Sequence, residues 1–338
     1  MGAWQLPLAS WVHDWDPFII EFRDGVGLRW YGMAYLVGIV LGYLLLRRWV
    51  RRERLPLREH WLADAALYIG LAMIIGGRLG YCLFYDPSLF GFTFEATFPW
   101  GFPWWDVLRV WKGGMASHGG IAGLFVGTWL FCRKYKVHLL VLCDAVAVGA
   151  TIGVICGRLA NFINGELWGR PTDVPWACKF PDAFLHDLQY RLAQGDLEPS
   201  RYMSLRDAYL ELEPYTERMT AFIAEHGLGR HPSQLYAAVL EGLLPLGIGI
   251  LVHAWHRRPG LSMATVLMVY AVGRFIDEFF RQPDAGYELF LGWMSKGQVL
   301  SLPLLLVGIG MAVWTLRRKL RPEWYRLGED LRPGARRD

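Results

Sequence analysis

Arg158 and Arg274 each sit at one end of a long apolar run. Arginine stays charged and offers a planar fork of donors, so a cluster of arginines in low dielectric calls for carboxylate partners or a bound phosphate. Arg78 lies inside another apolar run, and His118 falls in Ser117-His118-Gly119-Gly120. There the glycines leave backbone open to a closely approaching ligand, beside a group that titrates near neutrality. The densest polar signal is Gly157-Arg158-Leu159-Ala160-Asn161-Phe162-Ile163-Asn164-Gly165-Glu166-Leu167-Trp168-Gly169-Arg170. Its Arg158, Asn161, Asn164, Glu166 and Arg170 are separated by glycines and aromatics, as in a chain that bends through an interface and presents donors inward. Arg274, Glu278 and Arg281 stand at i, i+4 and i+7 on one helical face, with Asp277 and Asp284 nearby. A plainer account of each is also open: a structural ion-pair ladder for the last group, a helix-helix salt bridge for Arg78, a packing histidine for His118. Arg230-His231-Pro232-Ser233-Gln234-Leu235-Tyr236 reads equally as a binding motif or a helix entry, since Pro232 is tolerated near a helix start.

The elements that must position these groups are membrane spans. Apolar residues make up 54% of the 338 and aromatics 15%, and they arrive in runs rather than at amphipathic spacing. Runs of roughly 20 residues suffice to cross the hydrocarbon core. Seven are expected, over residues 30–46, 62–84, 115–132, 139–157, 233–255, 261–280 and 298–316. The net charge of +4 carries no nucleic-acid signal, but the basic residues are placed with a bias. Arg47, Arg48, Arg51, Arg52, Arg54 and Arg58, then Arg133, Lys134 and Lys136, then Arg257 and Arg258, then Arg317, Arg318 and Lys319 all fall on one side. The positive-inside rule makes that side the cytoplasm, with the N-terminus outside and the C-terminus within. The expected fold is thus an all-α polytopic membrane protein with an external cap.

The chain divides accordingly into an external interfacial arm (1–29), four spans with an external arm at 85–114 (30–158), a cap carrying the polar signature (159–232), three spans (233–316) and a basic cytoplasmic tail (317–338). Trp4, Trp11, Trp15 and Phe18 suit an arm lying in the membrane interface. No basic region precedes an apolar core in the first twenty residues, which argues against a cleavable signal peptide. Within the cap, residues 205–226 read as one or two amphipathic helices. Gly119, Gly123 and Gly127 give the third span a close-packing face. The five cysteines show no C-x-x-C spacing, and no ligand cluster for a metal is expected.

With these spans several polar groups share one depth. At about 1.5 Å rise per residue, Arg78 and Arg274 lie roughly 9 Å below the outer ends of their spans and His118 about 5 Å into its own. Arg158 and Asn161 follow directly from the outer end of span four. An ionisable side chain at that depth costs a few kcal/mol on insertion scales, so a shared layer implies a site for an anionic lipid.

Taken together, Arg29-Trp30-Tyr31-Gly32, the His-Gly-Gly segment, the Gly157 to Arg170 run, the Arg230 to Tyr236 run and Tyr270…Arg274-Phe275…Glu278-Phe279-Phe280-Arg281 resemble the prolipoprotein diacylglyceryl transferase family. The resemblance covers nearly the whole chain, apart from parts of the loop near 182–226. It implies a seven-span enzyme of the bacterial cytoplasmic membrane with its site toward the periplasm. That enzyme moves the diacylglyceryl group of phosphatidylglycerol to the lipobox cysteine of a preprolipoprotein and releases glycerol phosphate. It further implies that Arg158 and Arg274 are the essential arginines, Glu166 a catalytic neighbour and His118 a candidate base. Tyr31, Asn161, Asn164, Gly169, Arg78, Glu278 and Arg281 would bind substrate, with membrane lipid and the signal peptide as partners and no cofactor. Ala160 stands where the family usually has glycine, and Ala237 where an acidic residue is common.

Two other classes stay in view. A transporter for an anionic metabolite would also hold arginines in the membrane, and Glu241, roughly 12 Å into span five, would serve it. Yet no repeat or pair of broken helices is evident. An intramembrane serine protease would need Ser117 to face His118, whereas neighbours on a helix point about 100° apart.

Overall fold

A computed structural model describes residues 11–23, 26–52, 55–93, 104–108, 114–256, 258–283 and 292–319. Trp4, Arg54, Arg257, Asp284, the 317–338 tail beyond residue 319 and the side chains of Ser117 and His118 lie outside the described residues. The chain is mostly helical and forms two compact units. One comprises residues 1–42, 148–252 and 264–314, the other 43–147, 253–263 and 315–338.

Helices α1 (Trp30–Arg51), α2 (Trp61–Phe84), α3 (Ser117–Tyr135) and α4 (Leu139–Ile163) occupy the first half. Later in the chain α8 (Ser233–Ala237) passes through a π-helical turn, Ala238–Leu243, into α9 (Leu244–His256), followed by α10 (Leu261–Asp277) and α11 (Lys296–Arg317). Among the described residues five helices are long and apolar enough to cross a membrane: Trp30–Arg51, Trp61–Phe84, Leu139–Ile163, Ser233–His256 and Lys296–Arg317. Their apolar side chains are left exposed by the protein, as Ile39 and Leu44 on α1, Leu83 on α2 and Leu306 on α11 are. In water that would be a liability, and in lipid it is the expected surface. The third and sixth expected spans are present as α3 and α10, the first rich in glycine and the second only 17 residues long.

α4 runs six residues further than the 139–157 expected for it, to Ile163. The apolar Leu159, Ala160, Phe162 and Ile163 continue the helix, so Arg158 and Asn161 project from its last turns rather than from a loop after it. In the second unit the glycine face of α3 meets α2 at backbone contact distance. A Cβ on Gly127 would lie 2.5 Å from the Tyr68 carbonyl oxygen, and one on Gly119 or Gly123 would overlap the Gly76 or Ala72 carbonyl. Only the absence of a side chain allows that approach.

Residues 178–226 fold as a small cap within the first unit. Three helices, α5 (Phe184–Gln194), α6 (Pro199–Leu210) and α7 (Glu217–His226), close around Phe184, Leu188, Leu205, Met219 and Ile223. Val12 joins that core, because β1 (Trp11–Val12) pairs in parallel with β6 (Cys178–Lys179). The arm expected to lie flat in the interface is thus threaded into the cap at residues 11–13. Trp11 stays 44% exposed there, while Val12 and His13 are buried and His13 N donates to the Lys179 carbonyl at 2.8 Å. A hairpin of β2 (Phe18–Arg23) and β3 (Val26–Arg29) then leads into α1. The third small sheet, β4 (Phe92–Thr93) with β5 (Trp104–Trp105), belongs to the 85–114 arm.

Candidate active site

The first unit gathers the polar residues of α4, the π-helical turn and α10 around one carboxylate. Glu241 is completely buried. Its Oε2 accepts from Arg158 Nη2 at 2.7 Å and its Oε1 from Arg274 Nη1 at 3.1 Å. Arg274 also reaches Asp277 at 3.4 Å and forms a short ion pair with Glu278, which lies 4.0 Å from Arg281 and accepts from the Ser295 hydroxyl at 2.5 Å. Three guanidiniums thus face three carboxylates. The forks are used unequally. Arg274 is held by all three carboxylates, whereas Arg158 meets only Glu241 among the described residues and keeps 17% of its side chain accessible. Its Nε and Nη1 make no hydrogen bond among the described residues.

The signature run wraps this cluster by backbone geometry. α4 ends with Asn164 N donating to the Ala160 carbonyl, and Gly165 turns the chain at φ +68°. Leu167 also takes a positive φ, 58°, which a branched side chain rarely accepts. Asn161 Nδ2 donates to Glu166 Oε1 at 2.6 Å, and Gln234 Nε2 to the Glu166 carbonyl at 2.7 Å. Gly169 fits between two carbonyls: a Cβ there would lie 2.5 Å from the His231 oxygen and 2.6 Å from that of Phe280. Asn164 Oδ1 is buried with no hydrogen-bond partner among the described residues. Tyr31 accepts a 3.3 Å hydrogen bond from Tyr35.

Three sequence motifs therefore converge: the signature run, the 230–236 run and the 274–282 run. Arg230 is the hub of the second. It is fully buried and donates Nη1 to the Gly169 carbonyl at 2.7 Å and Nε to Asp187 at 2.8 Å, with His186 Nδ1 3.1 Å from Nη2. Burial pushes the Asp187 carboxyl above its usual range, and the Arg230 charge offsets part of that.

The structure brings together Arg158, Arg274, Glu278 and Arg281 directly, with Asn161 on the last turn of α4 and Glu166 and Gly169 in the loop that follows it. Arg78 belongs to the second unit, where it is 4% exposed. It donates Nε to the Val107 carbonyl at 2.7 Å, Nη2 to that of Asp106 at 2.7 Å and Nη1 to that of Gly114 at 3.0 Å. His118 lies on the first turn of α3, its side chain outside the described residues. Glu241 and Asp277 were not among the expected site residues. Glu241 carried a visible signal, an acid deep in an apolar run, and only its helical neighbours in space show what it serves.

A fold of lipid-facing helices that converge on paired, counter-charged arginines defines a membrane protein with a buried cluster of ion pairs. Comparison with known sequences is specific. The prolipoprotein diacylglyceryl transferase family model matches residues 17–314. A phosphatidylglycerol–prolipoprotein diacylglyceryl transferase of Bdellovibrio bacteriovorus is 38% identical over 93% of this chain and 97% of its own length. Proteins of the same name from Geobacter sulfurreducens (36%, covering 91% and 98%) and Legionella pneumophila strain Corby (37%, covering 90% and 97%) are similar throughout. The chain belongs to the prolipoprotein diacylglyceryl transferase family and is a transferase.

Proposed function

We propose that this protein transfers the diacylglyceryl group of phosphatidylglycerol to the lipobox cysteine of preprolipoproteins, forming a thioether and releasing glycerol phosphate. The carrying observation is that two arginines from separate helices meet on one buried carboxylate, and one of them keeps donors to spare. The names of the related proteins supply both substrates. In the reaction the cysteine thiol gives up its proton, sulfur attacks the glyceryl carbon, and the C–O bond to phosphate breaks with its electron pair staying on oxygen. Negative charge grows on the departing phosphate, so a guanidinium aimed there stabilises the transition state more than the ground state. Arg158 takes that place and Arg274 backs it, while Asn161, Glu166, Asn164, Gly169 and Tyr31 shape the surrounding loop and lipid contact. Glu278 and Arg281 complete the charge balance. A thiol with an ordinary pKa of about 8.5 needs a base or a positive field to ionise at neutral pH. His118 is the candidate base.

Read with α3 and α10 as spans, the chain crosses a bacterial cytoplasmic membrane seven times, N-terminus outside and C-terminus within, with the site toward the periplasm. The charge bias of the helix ends supports this orientation. Purified protein supplied with phosphatidylglycerol and a lipobox peptide is expected to yield a thioether-linked diacylglyceryl peptide plus glycerol phosphate. A Cys-to-Ser peptide is expected to yield neither, and lipidation of that peptide or none of the cysteine peptide would remove the reading.

A further inference from the structure

Glu241 touches neither the thiol nor the phosphate in that reaction, yet both arginines rest on it. A lone carboxylate removed from water is costly, and a buried one persists in charged form where cations pair with it. Here each oxygen takes one cation, Oε2 from Arg158 at 2.7 Å and Oε1 from Arg274 at 3.1 Å. Two guanidiniums brought this close would repel each other without an anion between them.

The backbone that carries Glu241 is fixed on both sides. Its segment, Ala238–Leu243, is π-helical, a widened turn that interrupts regular hydrogen bonding and recurs at functional sites. The preceding residue meets α10 one position before Arg274: a Cβ on Gly273 would overlap the Leu240 carbonyl. The following residue meets α4 three positions before Arg158, where a Cβ on Gly242 would overlap Ile155 Cγ1 and lie 3.3 Å from the Ile155 nitrogen. Leu240 and Gly242 therefore seat the turn against the two helices that carry the arginines, and Glu241 projects between those contacts.

The geometry points to Glu241 as the positioning residue of the phosphate site: a built-in anion that holds Arg158 and Arg274 side by side and leaves Arg158 Nε and Nη1 for the lipid phosphate. This rests on the transferase reading. Being an anion, Glu241 also competes with the lipid phosphate for the same two cations. It weakens ground-state binding while fixing the arrangement that the departing phosphate needs. Removing its charge then has a paired signature, tighter binding of phosphatidylglycerol with slower turnover.

The test uses the full chain in lipid nanodiscs, with kcat and the KM for phosphatidylglycerol measured at saturating lipobox peptide for wild type, Glu241→Gln and Glu241→Asp. Glu241→Gln is expected to lose about 100-fold in kcat while its KM falls severalfold, and Glu241→Asp, which keeps the charge, to stay within about tenfold of wild-type kcat. A Glu241→Gln kcat within about threefold of wild type overturns the inference, as does a KM that holds or rises while kcat falls. Size-exclusion behaviour and melting temperature verify folding. If Glu241→Gln does not fold, Glu241→Asp decides: a kcat within about tenfold of wild type with KM unchanged supports the inference, and a loss of about 100-fold despite the retained charge overturns it. Absence of wild-type turnover removes the transferase reading separately. Binding then decides: Glu241→Gln retaining phosphatidylglycerol over phosphatidylcholine more strongly than wild type supports the inference, and equal or weaker retention overturns it.

Discussion

Arg78 on α2 and Arg274 on α10 are both largely shielded from water, 4% exposed as a residue in the first case and 16% exposed as a side chain in the second. Arg78 gives three donors to the carbonyls of Val107, Asp106 and Gly114, all in the arm that joins α2 to α3. Arg274 gives its donors to Glu241, Asp277 and Glu278. Carbonyls accept from a guanidinium's donors and tie a chain segment down by hydrogen bonds of about 1.5–3 kcal/mol each. Carboxylates cancel the charge and tie helices to one another, at a desolvation cost that only a complete network offsets. The same residue type, in apolar runs that look alike on paper, is a clasp in one unit and part of a charge-balanced site in the other.

The sharpest way to break this contrast is to keep the charge and remove the fork. Arg158→Lys is expected to lose about 100-fold in kcat, because a lysine replaces a planar pair of donors with one compact charge. It should leave the melting temperature nearly unchanged, since Glu241 stays paired with a cation. Turnover within about threefold of wild type would place Arg158 with Arg78 among the structural arginines.

Arg78→Gln is expected to divide the other way. Losing a charge-assisted clasp on three carbonyls should cost about 2–4 kcal/mol of local stability, read as faster amide hydrogen exchange over 104–108 and 114–116. Turnover per folded molecule should stay within about threefold. A hundredfold fall in turnover with exchange unchanged would move Arg78 into the substrate-binding role expected from its place in the sequence.

That expectation shows where the sequence could and could not be read. The helices were legible because lipid imposes long apolar runs, and five of the seven expected stretches appear as helices with ends within about three residues of those expected; α1 overran by five and α4 by six, since Gly157 did not stop it. Arg158, Arg274, Glu278 and Arg281 were legible as a group because charge inside such runs needs a reason. Which carboxylate answers which arginine was not legible. Glu241 and Arg158 are 83 positions apart, and their pairing depends on a π-helical turn that no local pattern announces. Arg78 was read as part of the same layer because depth along a helix can be counted, while the carbonyls that meet it come from an arm without periodicity. Residues 205–226 were read as one or two helices and hold the end of α6 and all of α7, while α5 was not read, and the cap core borrows Val12 from the far end of the chain.

The mildest probe is pH, and it separates titratable from non-titratable support. In the cap, burial holds the His13, His186 and His231 side chains below the usual histidine value of 6.5. His13 sits among Trp11, Trp15, Phe162 and Phe180 with its Nε2 unbonded among the described residues, and His186 adjoins the Arg230 charge. The unfolded cap therefore binds more protons than the folded one as pH drops below 6.5, and its stability must fall in the same direction. Asp187 works with the opposite sign, because burial raises its carboxyl from 3.8, so it favours the folded cap as pH approaches the carboxylate range. A comparison between pH 7.5 and 6 isolates the histidines. Over that interval amide exchange in residues 11–15 and 178–194, corrected for the intrinsic pH dependence of the chemistry, is expected to speed up severalfold relative to pH 7.5. The 104–108 segment, clasped to Arg78 through carbonyls that do not titrate, is expected to keep its protection. Equal loosening of both segments would mean that the arm, too, is held by groups that change charge in this interval, and the contrast between the two arginines would have to be redrawn.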